Sequence, residues 1–281
     1  MLRFSTLSLY VVLSGCGTTA GVREFQAYSA AFSAVEEASD AVLIDIAAGE
    51  RAARINQIDG RAQFGISTDL DSRDLSTFAP NADPTFVAAV RYAINSVERY
   101  NQTLLAYAEG RSLSILKGQI SDLNNASIGF TAMPPVKGAD LLGKIGFLKD
   151  LLDVAVGVGS REAFRIELRE GGEALGQVLD EILKYSDVAF DMLTGTDFRE
   201  LRVVSGGNET RAAALRTSIA KKREMLAEWL YLLQQARAAL DGAVRAIDVP
   251  QTAGQRLVET AVIVGDLRAR AERIKKLAVE N

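Results

Sequence analysis

Residues 215–247, LRTSIAKKREMLAEWLYLLQQARAALDGAVRAI, decide the fold. Leu215, Ile219, Leu226, Trp229, Leu233, Ala236, Leu240 and Ile247 recur at steps of three, four or seven, the intervals at which side chains align on one face of an α-helix. The seam breaks before Pro250, a residue that cannot continue a helix. A stripe of this width is buried only against other helices, so the segment predicts partners of its own kind.

Such partners lie on both sides. Leu257, Val264, Leu267, Ala271 and Ile274 form a final seam, and Leu168, Leu175, Leu179, Ile182, Ala189 and Leu193 an earlier one. The turn-like run Thr194-Gly195-Thr196-Asp197 is expected to end the earlier seam. Near the start, Phe25, Tyr28, Phe32, Val35, Ser39, Val42, Ile46, Gly49 and Ala53 keep a heptad register. A helix from about Val22 to Gln57 would be on the order of 55 Å long. Asp83-Pro84 reads as an N-cap followed by proline at the first helical position; Phe86, Val90, Ala93, Val97, Tyr100, Leu104 and Tyr107 continue that helix. After Gly110 the seam changes phase to Leu113, Leu116, Ile120 and Leu123, which rotates the contacting face or bends the helix. The expectation is an all-α fold, an elongated antiparallel helical bundle with coiled-coil-like heptad seams. No stretch of β period competes, and no fixed repeat beyond the heptads suggests a solenoid.

Two segments interrupt the pattern. Residues 58–83 are rich in Gly, Ser, Asp and Asn and read as a long connection. Asp69-Leu70-Asp71-Ser72-Arg73-Asp74 supplies carboxylates, but Arg73, Asp74 and Pro80 occupy positions where a calcium loop needs an oxygen ligand, a glycine and a glutamate. A solvated, helix-capping loop is the better reading. In residues 126–160, Met133-Pro134-Pro135 stops one helix. Leu141, Leu142, Ile145, Phe147, Leu148, Leu151, Leu152, Val154 and Val156 then follow, laced with Gly138, Gly143, Gly146, Gly157 and Gly159. A segment apolar on several faces is expected to be a core helix crossing the bundle. The alternative is a membrane-contacting element, similar to the apolar hairpin between long helices in α-helical pore-forming toxins. Lys144, Lys149, Asp150 and Asp153 weigh against unaided insertion, because charges in hydrocarbon cost several kcal/mol.

At the N-terminus, Arg3 precedes an apolar core from Phe4 to Leu13, then small Ser14 and Gly15, the ordered parts of a secretion signal. It is too short to span a bilayer, which takes roughly 20 apolar residues. Leu13-Ser14-Gly15-Cys16 resembles the lipobox of bacterial lipoproteins, and the resemblance covers residues 1–16 alone. It implies diacylation of the Cys16 sulfur, cleavage before Cys16 and further acylation of the new amino group. Residues 1–15 are then a lipoprotein signal peptide, 16–21 a lipidated cysteine with a short linker, and 22–281 the helical-bundle domain. In that family an aspartate after the cysteine marks inner-membrane retention; Gly17 stands there, which implies the outer membrane, with the bundle facing the periplasm.

Composition narrows the chemistry. The formal net charge is -4 and the pI about 5.2, unlike the broad basic face of a nucleic-acid binder. The single cysteine cannot pair within the chain, so stability must come from packing. With 0 histidines, imidazole catalysis and the usual zinc and di-iron sites are excluded. Ser114-Ile115-Leu116-Lys117 matches the Ser-x-x-Lys pattern of penicillin-recognising enzymes. It lies inside a helix, and the companion motifs are missing. Glu36, Glu37 and Asp40, and Glu167, Glu170 and Glu173, set carboxylates at the separation glycoside cleavage uses, yet helical spacing does this without catalysis; solvated helix faces are expected. Gly172-Glu173-Ala174-Leu175-Gly176 signals close helix approach or a local weakness. Arg268, Arg270, Arg273, Lys275 and Lys276 suit the negative end of a helix dipole, or else anionic headgroups.

No catalytic, cofactor or metal residue is assigned, and the expectation is a non-enzyme. Cys16 is the one candidate functional residue, as the lipidation site. The expected partners are the membrane through that anchor and an unidentified envelope protein, with homo-oligomerisation open and no nucleic acid. The runner-up is a membrane-active, pore-related or lipid-binding helical protein acting through residues 138–159.

Overall fold

A computed structural model describes residues 21–60, 71, 74–109, 161–248 and 253–279. Among these, every regular element is a helix: α1 (Val22–Asp59), α2 (Leu75–Phe78), α3 (Thr85–Ala108), α4 (Arg161–Lys184), α5 (Ser186–Val204), α6 (Glu209–Asp248) and α7 (Ala253–Val279). Cross-helix contacts fix their directions. Gly21 meets Ile247 and Ser39 meets Trp229, so α1 and α6 are antiparallel. Ser33 bonds Glu98 while Glu50 bonds Phe86, so α3 also runs against α1. Phe86 packs on Tyr185 and Tyr100 on Glu167, which sets α4 against α3. Arg270 reaches Glu228 and Arg273 reaches Glu224, setting α7 against α6. The chain is thus an up-and-down bundle of long rods, with α4 and α5 joined end to end as one of them.

The sequence seams are the core. All the seam residues named for α3, α4, α5 and α6 are buried, as are Phe25 through Ile46 of the α1 seam and Leu267, Ala271 and Ile274 of α7. The α1 register fades at its far end, where Gly49 is half-buried and Ala53 exposed. Trp229 is 1% exposed, and its indole N–H donates to Ser39 Oγ at 2.9 Å while Ser39 donates to the Val35 carbonyl at 2.7 Å. The largest side chain of the core therefore has its one polar group satisfied, as burial requires.

Three boundaries differ from the sequence reading. Thr194-Gly195-Thr196-Asp197 does not end a helix: α5 runs through it to Val204. Thr194 bonds back to the Phe190 carbonyl, Arg199 bonds the Gly195 carbonyl, and Asp197 takes Lys222 and Ser218 of α6. These tertiary bonds override a local glycine cost of about 1 kcal/mol. The break falls instead at Tyr185, inside what reads as a continuous seam. Asp83 does not cap α3 either. Its carboxylate pairs with Arg91, and the free N–H groups of Phe86 and Val87 are taken by Glu50 of α1 at 2.9 and 3.2 Å. Burial raises the pKa of that Glu50 carboxyl, and these backbone bonds pull it back. Finally, the connection after α1 contains the short α2, held by Asp74 on Arg54 and by Arg51 on the Pro80 and Ala82 carbonyls.

Candidate functional site

Cys16, Ser114, Lys117 and residues 138–159 all lie outside the described residues. Of the candidate clusters that are described, the structure separates the solvated from the buried. Glu37 pairs with Lys275 of α7, and Asp40 with Arg91 of α3. Both are ordinary outer ion pairs. Glu36 is half-buried beside them, and its pKa is raised by burial, then by the nearby Glu98 and Asp40 charges. The C-terminal cations do not simply serve their own helix end. Arg270 pairs with Glu228 at 2.7 Å and covers the Tyr231 ring at 4.3 Å; Arg273 pairs with Glu224 at 2.6 Å. They clamp α7 onto α6.

Inside the bundle, polar groups gather where α1, α3 and α4 meet. Glu98 is buried and accepts from Ser33 of α1 at 2.9 Å and from Gln102 at 3.0 Å. One turn on, Asn101, fully buried, donates to the Tyr28 hydroxyl at 3.4 Å. Burial holds the Tyr28 phenol protonated far above its usual range. Such a cluster favours one register of α1 on α3, because a slip would strand buried polar groups at roughly 1–3 kcal/mol each.

The Glu167, Glu170 and Glu173 group departs from a solvated face. Glu170 and Glu173 are exposed, but Glu167 is turned into the α3–α4 seam and is 4% exposed. The Tyr100 hydroxyl stands 3.5 Å from its carboxylate and donates to its backbone carbonyl at 3.3 Å. Burial, reinforced by the Glu170 charge, pushes the Glu167 pKa up to about 7 against the pull of Tyr100. Sequence periodicity hides this, because a glutamate beside Leu168 on an amphipathic helix reads as a flank of the seam.

Glycines admit this packing. A Cβ on Gly171 would sit 1.8 Å from the Tyr100 hydroxyl oxygen, one on Gly172 2.5 Å from Val244, and one on Gly176 2.2 Å from the Arg237 guanidinium carbon. The Gly-x-x-x-Gly spacing thus marks close helix approach, with α4 drawn onto α3 by Gly171 and onto α6 by the other two.

Among the described residues, no group of three or more His, Cys, Asp or Glu side chains is placed to hold a metal. No helix of these residues is long and apolar enough to cross a membrane. The chain matches no protein-family model, and no curated protein or solved structure is significantly similar to it.

Proposed function

We propose that the chain is a non-catalytic envelope lipoprotein, held to a bacterial membrane by acyl chains on Cys16 and presenting its helical bundle to a protein partner in the envelope. The observation that carries this reading is Leu13-Ser14-Gly15-Cys16 behind a short apolar stretch. Lipid chains contribute about 0.8 kcal/mol per buried CH₂, so two or more anchor stably. Cys16 stands five residues before Gly21, where α1 begins, so at about 3.5 Å per residue that end of the bundle starts within roughly 20 Å of the anchor. On this reading Cys16→Ala loses acylation and leaves the membrane fraction while the bundle still folds. Labelling cells with an alkyne fatty acid and fractionating them checks it; a variant still labelled and still in the membrane pellet refutes the proposal.

The membrane-active reading stays in second place on one observation. Gly21 at the start of α1 meets Ile247, and Phe25 packs on Phe164 in the first turns of α4. Since α3 runs antiparallel to α1 and α4, it ends toward this same end. The end of α3 and the start of α4, between which residues 110–160 lie in sequence, are therefore at the same end of the bundle as the start of α1. Leu148→Asp separates the readings: if Leu148 is core, the substitution buries an unpaired charge and the protein melts lower. An undisturbed melt with lost liposome binding would place the membrane-active reading first.

A further inference from the structure

We infer that Glu167 and Tyr100 form a protonation-controlled latch between α3 and α4, closed while the Glu167 carboxyl is neutral and loosened when it ionises. The geometry carries this. Glu167 is buried on the face that meets α3, and among the described residues no ion pair to it is found. From α3 the Tyr100 hydroxyl reaches it; on its own helix Glu170 adds a like charge; Tyr107 of α3 acts on Tyr100. Around it α1 sets Phe25 on Phe164, α6 sets Val244 against Gly172, and Arg165 of its own helix reaches the Ile247 carbonyl. Farther along α6, at the level of Gly176, Arg237 is engaged by Asp180 and Asp241. A carboxylate here is thus desolvated and repelled at once, a cost that the Tyr100 hydroxyl offsets only in part, whereas a neutral carboxyl is buried without it. Gly171, one turn from Glu167, lets the Tyr100 ring lie flush on α4, which brings the phenol and the carboxyl into one buried contact.

The sign follows from the raised value. The unfolded chain gives up this proton near 4.5 and the fold near 7, so the latch contributes fully below the lower value and weakens as pH rises between the two. The test uses the full chain in detergent micelles. Infrared difference spectra from about pH 5 to about pH 8 should show a protonated carboxyl band that titrates and is missing in Glu167→Gln. Over the same range, hydrogen exchange corrected for intrinsic rate should speed up roughly tenfold or more in residues 100–108 and 164–172, and stay slow in Glu167→Gln. Two further variants move the midpoint in opposite directions: Tyr100→Phe upward, because the hydroxyl favours the ionised form, and Glu170→Gln downward, because a like charge is gone. A band that persists in Glu167→Gln, exchange independent of pH in the wild type, or midpoints unmoved by both variants would overturn the latch.

Discussion

The Trp229 seam and the Glu167 seam are built from the same kind of helix and bury their polar groups to opposite effect. In the first, α6 presents an indole whose N–H ends on Ser39, and Ser39 ends on a carbonyl of its own helix. Each donor of that pair has a neutral acceptor, so the Trp229–Ser39 contact itself does not titrate. In the second, α4 presents a carboxyl whose side-chain partner among the described residues is a phenol at 3.5 Å. Two contacts in seams of the same apolar period thus differ in whether pH can act on them. What decides it is one side chain per seam, not the hydrophobic pattern.

The largest expected effect breaks the first seam. Trp229→Ala removes the bulkiest buried side chain and the donor to Ser39 Oγ, a loss of about 3–5 kcal/mol by comparison with other aromatic truncations. The thermal midpoint should fall by a similar amount at acid and neutral pH, since the indole N–H ends on the neutral Ser39 hydroxyl. A melt unchanged from wild type, or native tryptophan fluorescence already resembling that of indole in water, would show that the seam is not buried at Trp229.

How much of this was legible in the chain depends on the element. The α6 seam and most of α1, α3 and α4 follow directly from apolar spacing, because burial and period are the same fact seen twice. Continuity was not legible. Tyr185 interrupts a seam whose period does not falter, and Gly195 fails to interrupt one, because long-range bonds from Asp197 to Lys222 and Ser218 override the local preference. Capping was misplaced for a similar reason: the cap of α3 comes from Glu50, 36 residues earlier, and no local motif announces a partner so distant. Glu167 was in view as one of three spaced acids, but its inward turn depends on Gly171 admitting Tyr100, a pairing 71 residues apart that helical periodicity alone does not reveal. The lipobox-like stretch on which the proposed anchor rests, by contrast, is wholly local, so that proposal draws on no part of the fold.

The smallest effect sharpens the comparison, because one substitution is expected to take opposite signs at two glycines. Glycine inside a helix costs roughly 0.5–1 kcal/mol relative to alanine, so filling it stabilises wherever there is room. Gly195 has nothing within 4 Å of where a Cβ would be, and Gly195→Ala should raise the melting temperature slightly at every pH. At Gly171 the new methyl would fall 1.8 Å from the Tyr100 oxygen and 2.4 Å from the ring carbon bearing it. Tyr100 is fully buried, so its ring cannot swing clear without moving α3. Overpacking of that kind costs typically about 1–3 kcal/mol, which exceeds the gain in helix propensity, and Gly171→Ala should melt lower than wild type. It should also lift the Glu167 titration midpoint, because a displaced Tyr100 hydroxyl no longer favours the ionised carboxyl. Differential scanning calorimetry of the two variants, each at about pH 5 and about pH 8, reads both the signs and the pH dependence. If both alanines stabilise alike, α4 does not approach α3 closely at Gly171, and the contact that buries Glu167 fails with it.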